Sequence, residues 1–151
     1  MSPIIRNILA VIAGVLIGGF ANISLVNVGY SVFPLEGVDT NDLEALGAAL
    51  STAGIEHFVF PFLAHALGTL IGAFVAAWIA APNNKMTVAL IVGVFYLIGG
   101  IAASSMIPAP TWFSVVDLVV AYIPMGYLGG VIGKKVSKNQ ASNEDVLDNL
   151  S

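Results

Sequence analysis

Residues 58–81 read FVFPFLAHALGTLIGAFVAAWIAA, and after the turn PNNK at 82–85 the next run, 86–107, reads MTVALIVGVFYLIGGIAASSMI. Each run is long enough to cross a bilayer, because a hydrocarbon core about 30 Å thick needs roughly 20 apolar residues of helix. The short turn contains a proline and two asparagines, which end one helix and allow the next to begin. The stretch therefore predicts two antiparallel transmembrane helices.

Two further apolar runs flank this hairpin, at residues 7–29 and 112–133, and Pro108-Ala109-Pro110 separates the last two. The sequence thus predicts an all-α, polytopic membrane protein whose single domain, residues 1–133, is a four-transmembrane-helix bundle. The polar tail, residues 134–151, is predicted to be disordered, because it has too few apolar residues to form a core.

The composition excludes several classes of protein. Charged residues make up 9% of the chain, against about 25% in soluble domains, which is too few to cover a surface in water. The net charge of −4 argues against a nucleic-acid partner, which requires a basic face. With no cysteine and no catalytic or metal-binding motif, we expect no cofactor, no bound metal and no enzyme.

The basic residues predict how the bundle is oriented. In a four-span arrangement all five fall on one side of the membrane, which should be the cytoplasmic side; they are Arg6, Lys85, Lys134, Lys135 and Lys138. We therefore expect a cytoplasmic-membrane protein with both termini in the cytoplasm. The alternative is that residues 1–21 are a cleaved signal peptide, since Gly19-Phe20-Ala21 resembles a cleavage site.

The outer loop, residues 34–57, predicts a short amphipathic helix that lies on the outer membrane surface or over the mouth of the bundle. Asn41 followed by Glu44 has the spacing of a capping box, and Gly54 is a plausible end of the helix. Its apolar side consists of three leucines, Leu43, Leu46 and Leu50.

Glycines spaced four apart allow helices to approach closely in lipid. Such pairs occur in three spans, at Gly14 and Gly18, Gly68 and Gly72, and Gly126 and Gly130, with Gly129 and Gly133 overlapping the last. Packing within the chain is the favoured interpretation. The alternative is a homo-oligomer interface on the fourth span.

Four polar side chains lie in the outer halves of the spans: Asn22, His65, Ser104 and Asp117. At 100° per residue the first three share a face with the glycines of their own helices, which predicts a polar pocket that opens outward. Asp117 is nearly opposite the glycines of a straight fourth helix. Pro124 should kink that helix. Either Asp117 faces the pocket and the glycines face another subunit, or the reverse holds; we expect the first, since a carboxylate is costly against lipid.

The pocket residues allow a functional and a structural interpretation. An ionisable residue inside a span is a functional candidate, so Asp117 and His65 together could relay protons or bind a cationic solute. Alternatively, hydrogen bonds from Asp117 and His65 to neighbouring helices serve only to fix the helix register.

The segment FPFLAHALGTLIGA at 60–73, together with PAPTWF at 108–113 and Asp117, resembles a family of short bacterial four-span membrane proteins. The resemblance covers nearly the whole chain apart from the tail. It implies a bacterial cytoplasmic membrane and implies no activity.

Three classes of function remain open at this point. The first is a transporter or channel-like subunit, oligomeric because four spans enclose little volume. The second is an accessory subunit of a larger membrane complex, bound through the glycine faces. The third is a membrane enzyme in which His65 is a base and Asp117 orients it. Apart from the lipid bilayer, the expected partners are further copies of the chain or a larger membrane complex.

Overall fold

The computed structural model describes residues 1–148 and contains no strand in that range. Its elements are α1 (Pro3–Val32), α2 (Leu43–Thr52), α3 (Glu56–Ile79), a 3₁₀ turn (Pro82–Asn84), α4 (Lys85–Met106), α5 (Thr111–Val120) and α6 (Ile123–Asp148). Four segments are long and apolar enough to cross a membrane: α1, α3, residues 82–106 and residues 111–140. The predicted all-helical class is confirmed, and each predicted span falls on one of these segments.

Helix α3 is the centre of the bundle, and it packs against α1, α4 and α6. We call the end of the bundle that carries α2 the outer end, and the end that carries Arg6 and Lys85 the inner end. These labels follow the orientation predicted from the charges.

Glycines bring α1 and α3 into backbone contact. A Cβ atom at Gly14 would lie 2.5 Å from the carbonyl oxygen of Gly72, and one at Gly18 would lie equally close to that of Gly68. Two antiparallel helices can approach so closely only where side chains are absent, which is how small residues promote association in lipid. Both predicted glycine pairs are therefore used within the chain.

Alanines continue this tight packing toward the inner end. Six of them are fully buried on α1, α3, α4 and the turn after α3: Ala10, Ala73, Ala76, Ala77, Ala80 and Ala89. Their small side chains leave the helices close enough for van der Waals contact along their backbones.

The glycines of the fourth span also face the inside of the chain. Gly126 lies against Gly93, with a hypothetical Cβ 3.1 Å from the Gly93 Cα, and Gly130 lies against Ala89. Gly129 and Gly133 lie against the backbone of α3. The expectation that these glycines face another subunit is therefore corrected, because their surfaces are occupied by α3 and α4.

The reason is a break in the fourth span. Helix α5 ends at Val120, and α6 begins at Ile123, so Ala121 and Tyr122 form a turn, and Pro124 is the second residue of the helix that follows. Because proline has no N–H, it cannot continue the hydrogen-bond ladder to Val120. The angles of a straight helix do not apply across this turn, and Asp117 and the glycines all face the interior.

Helix α2 begins one residue later than predicted. The N-cap is Asp42, whose carboxylate accepts hydrogen bonds from the backbone N–H groups of Glu44 at 3.0 Å and Ala45 at 3.2 Å. Asn41 instead binds Asp39 through its side-chain amide at 3.1 Å. Both residue types cap helices well, so the sequence alone did not distinguish them. The helix ends at Thr52, before Gly54.

Helix α6 extends beyond the bundle to Asp148, whereas disorder was predicted from residue 134. After Gly133 the chain has no glycine or proline up to that point, and Lys, Gln, Ala and Glu are good helix formers. The remaining part of the predicted tail, residues 149–151, lies outside the described residues.

Candidate functional site

Asp117 is the best-buried carboxylate of the described chain, at 3% exposure. The Nδ1 atom of His65 lies 2.9 Å from one of its oxygens and 3.0 Å from the other. The Tyr122 hydroxyl donates to the same carboxylate at 2.9 Å. Helices α3 and α5 and the turn before α6 thus meet at one carboxylate with two donors, an arrangement that offsets the cost of burying it.

An ionised Asp117 determines which nitrogen of His65 carries a proton. Its two oxygens can only accept hydrogen bonds, so Nδ1, which faces both, is the donor in that state. The second ring nitrogen, Nε2, is then an acceptor in the neutral imidazole and a donor in the protonated one. One proton therefore changes the charge of the His65–Asp117 pair from negative to neutral.

A cavity of about 190 Å³ lies over this pair, and we call it the outer cavity. His65 and Asp117 line it on the α3 and α5 sides, and Leu46 and Leu50 of α2 line it at the outer end. Leu46 is only 3% exposed, so α2 is docked on the bundle by its apolar face. The remaining walls come from four segments, with Val26, Tyr30, Phe58, Pro61, Gly100, Ala103, Ser104, Ile107, Ala109, Phe113 and Ser114.

The size of the outer cavity limits what it can hold. Sites for drug-sized ligands occupy about 300–1,000 Å³, whereas 190 Å³ corresponds to roughly six water molecules at ~30 Å³ each. The cavity is suited to a small solute or a hydrated ion with the carboxylate as its main polar partner.

Two of the four predicted pocket residues meet directly, namely His65 and Asp117. Ser104 lines the cavity, but its hydroxyl donates to the Gly100 carbonyl of its own helix at 2.9 Å. Asn22 faces α3 as predicted, where its Cβ lies beside Gly68. It is not part of the cavity lining.

Tyr122, the third member of the cluster, was not predicted from the sequence. Tyr122 is 2% exposed, and its ring fills the space left beside Gly100, where a Cβ would collide with the hydroxyl. In a continuous helix a residue five positions after Asp117 would point about 140° away from it. Only the turn at Ala121–Tyr122 brings the Tyr122 hydroxyl to the Asp117 carboxylate. Pro124 predicts a kink in the span but does not predict this contact.

Below the outer cavity the polar groups are already bonded to backbone. The Thr69 hydroxyl, at 1% exposure, donates to the His65 carbonyl at 2.7 Å, and the Tyr96 hydroxyl donates to the Val15 carbonyl at 2.7 Å. The glycine contact between α1 and α3 lies at the same level. These contacts separate the outer cavity from the inner end.

In the described part of the chain, no group of three or more histidine, aspartate or glutamate side chains is arranged to hold a metal ion.

Comparison with protein-family models, with curated proteins and with solved structures found no match to this chain.

Proposed function

We propose that the protein is a transporter or channel-like subunit of the bacterial cytoplasmic membrane, and that the outer cavity is its entry site. The observation that carries the proposal is the small cavity lined by a buried carboxylate, Asp117, which is paired with His65. A carboxylate within a span is costly and is usually retained for a function that needs it.

The chemistry of the pair favours protons or a small cation as the transported species. With His65 neutral, the pair carries one negative charge that can attract a cation entering the cavity. Protonation of His65 neutralises that charge in place, so a proton and a cation compete for Asp117. Such competition is the basis of coupling between a proton and a solute.

Passage to the inner end requires a second arrangement of the helices or a second copy of the chain. The contacts of Gly14 and Gly18 with α3 close the inner half in this conformation. The turn at Ala121–Tyr122 is a place where α5 can move relative to α6, because the helical hydrogen-bond ladder is already interrupted there.

Flux through reconstituted protein tests the proposal. Purified protein in liposomes with an internal pH indicator should collapse an imposed pH gradient faster than empty liposomes. Asp117→Asn should abolish this flux. Glu44→Gln should retain it, because it removes one carboxylate from the exposed surface of the same end.

Equal flux in Asp117→Asn and wild type contradicts the proposal. Absence of flux from the wild type, together with co-purification of other membrane subunits, favours an accessory subunit instead.

One observation favours the enzyme alternative. The orientation of His65 by Asp117 leaves Nε2 available as a base, as in a catalytic dyad. Serine side chains, Ser104 and Ser114, lie in the same cavity wall. Labelling of either serine by a fluorophosphonate probe, with loss in His65→Gln, is the result that would favour this class.

A further inference from the structure

A second cavity, of about 800 Å³, lies at the inner end, and we call it the basic cleft. It is lined by Arg6 of α1, Lys85 of α4, and Lys134 and Lys138 of α6. These are four of the five positive side chains of the protein. The folding of three helices around α3 has gathered charges that are far apart in the sequence.

Lys85 is fixed in the wall of the basic cleft. It is 8% exposed, and its ammonium group donates to three carbonyl oxygens at the end of α3, those of Ala77 at 3.2 Å, Trp78 at 3.2 Å and Ala80 at 3.1 Å. All three N–H donors are used. Lys85 therefore stabilises the α3 terminus and adds positive charge to the cleft.

The other three cations retain donors for a ligand. Arg6 uses Nε for the Ile79 carbonyl, at 2.5 Å, which leaves the four N–H bonds of its terminal nitrogens. Lys134 and Lys138 are exposed and lie one helical turn apart on the same face of α6.

Among the carboxylates whose side chains the structure describes, none forms an ion pair with a cation of the basic cleft. Among the side chains that the structure describes, the ion pairs within 4.0 Å involve only His57 and His65, both near the other end. Like charges gathered in this way repel one another, and an anion between them would relieve that repulsion.

We propose that the basic cleft binds the phosphate headgroup of an anionic phospholipid. The cleft lies at the helix ends, where headgroups are found, and Trp78 in its wall is held there by a 2.7 Å hydrogen bond from its indole N–H to Gln140. Tryptophan is enriched at this depth, and basic pockets between transmembrane helices bind anionic headgroups. The volume lies in the range of sites for molecules of that size, about 300–1,000 Å³.

Orientation of the chain in the membrane does not by itself explain the cleft. The positive-inside rule needs only a sufficient number of basic residues near the span ends. Lys135 satisfies that rule but is not part of the cleft lining. It is therefore a matched control, since it lies on the same helix between the two lining lysines in sequence.

Binding of short-chain phosphatidylglycerol to purified protein in neutral detergent tests the proposal, followed by the rise in melting temperature. Melting without lipid is recorded first for each variant, so that loss of folding is separated from loss of binding. Lys138→Gln should weaken the apparent Kd about fivefold, and the double variant Lys134→Gln/Lys138→Gln about 30-fold. Lys135→Gln should change it less than about twofold.

Three outcomes overturn the proposal. The first is an equal loss in Lys135→Gln and Lys138→Gln, which would indicate a diffuse charge effect. The second is equal stabilisation by short-chain phosphatidylcholine. The third is equal stabilisation by inorganic phosphate at the same concentration, which would assign the cleft to a free anion.

Discussion

The two halves of the bundle are built from different residues. In the half toward the inner end, which we call the closed half, glycines and alanines bring α3 into backbone contact with α1 and α6, and α4 into backbone contact with α6. In the half toward the outer end, the cavity half, aromatic residues and prolines such as Phe58, Pro61 and Phe113 hold the helices apart and line a cavity. Helices α1, α3 and α4 run through both halves, whereas the fourth span contributes α5 to the cavity half and α6 to the closed half.

This difference shows where the chain can contain a polar group. At the contact between α1 and α3, the hydroxyl groups of Thr69 and Tyr96 are bonded to backbone carbonyls. Where larger side chains separate the helices, Asp117 can keep two donors and still border a cavity. The close packing of the closed half thus supports the site around Asp117, and the wider helix spacing of the cavity half leaves room for that site.

The largest expected loss of stability comes from placing a larger side chain at a glycine contact of the closed half. Gly14→Val should lower the free energy of unfolding by about 3 kcal/mol, because overpacking of a close contact forces the backbones apart. The measurement is denaturant unfolding in mixed micelles. Gly99→Val is the matched control, since a Cβ at Gly99 meets nothing within 4 Å, and it should change stability by less than ~0.5 kcal/mol. Equal losses of unfolding free energy in the two variants would show that the two glycines are equivalent. That result would contradict the proposed difference between the two halves.

The second-largest effect is expected when Asp117, which binds His65 and Tyr122 in the cavity half, is replaced. Asp117→Ala leaves the donors of His65 and Tyr122 without their acceptor and should cost about 2–3 kcal/mol. Asp117→Asn retains one acceptor oxygen and should cost about 1 kcal/mol. Thermal melting of both variants checks this order. If Asp117→Ala melts like the wild type, the carboxylate does not hold these donors.

Two tyrosines sharpen the comparison, because each donates one hydrogen bond in a different half. Tyr122→Phe removes a bond to a carboxylate and should cost about 1.5–3 kcal/mol, whereas Tyr96→Phe removes a bond to a neutral carbonyl and should cost about 0.5–1.5 kcal/mol. Unfolding of both variants under the same conditions gives the difference. The reverse order would indicate that the Tyr122 hydroxyl is not bonded to Asp117.

The smallest effect should come from α2, at the outer end of the cavity half. Asp42→Ala removes the N-cap and should cost about 1 kcal/mol of helix stability, and little of it should appear in the melting of the whole bundle. Hydrogen exchange of the amides in α2 is the suitable measurement, and it should be faster in the variant. Glu44→Ala, which removes an exposed carboxylate without removing a cap, should leave the exchange nearly unchanged.

The sequence predicted the elements whose signals are local. Four apolar runs and the turn at 82–85 were enough to place the spans. The glycine spacings indicated close packing within the chain but not which helices are in contact. Disorder after residue 134 was an incorrect prediction, because low apolar content does not prevent a helix with good local propensity. The cap at Asp42 was missed by one residue.

The site was only half predictable for a geometric reason. His65 was placed correctly because α3 is regular, so an angular argument applies along its whole length. The direction of Asp117 and the role of Tyr122 depend on where the fourth span breaks, and Pro124 indicates a break without giving its angle. Asn22 and Ser104 lie on the same helix faces as the glycines, as expected. A shared face does not determine how far apart two side chains are, so it did not show that neither residue contacts Asp117.

The central claim is that the outer cavity is reached by water from the outer side, and cysteine labelling tests it most directly. The chain has no cysteine, so Ala103→Cys, in the cavity wall, and Ala102→Cys, its exposed neighbour on α4, each give a single thiol. An impermeant maleimide added outside intact cells should label Ala103→Cys about tenfold faster, because a thiol facing lipid does not ionise. Equal rates, or labelling of Ala103→Cys only after the inner side is exposed, would contradict the account.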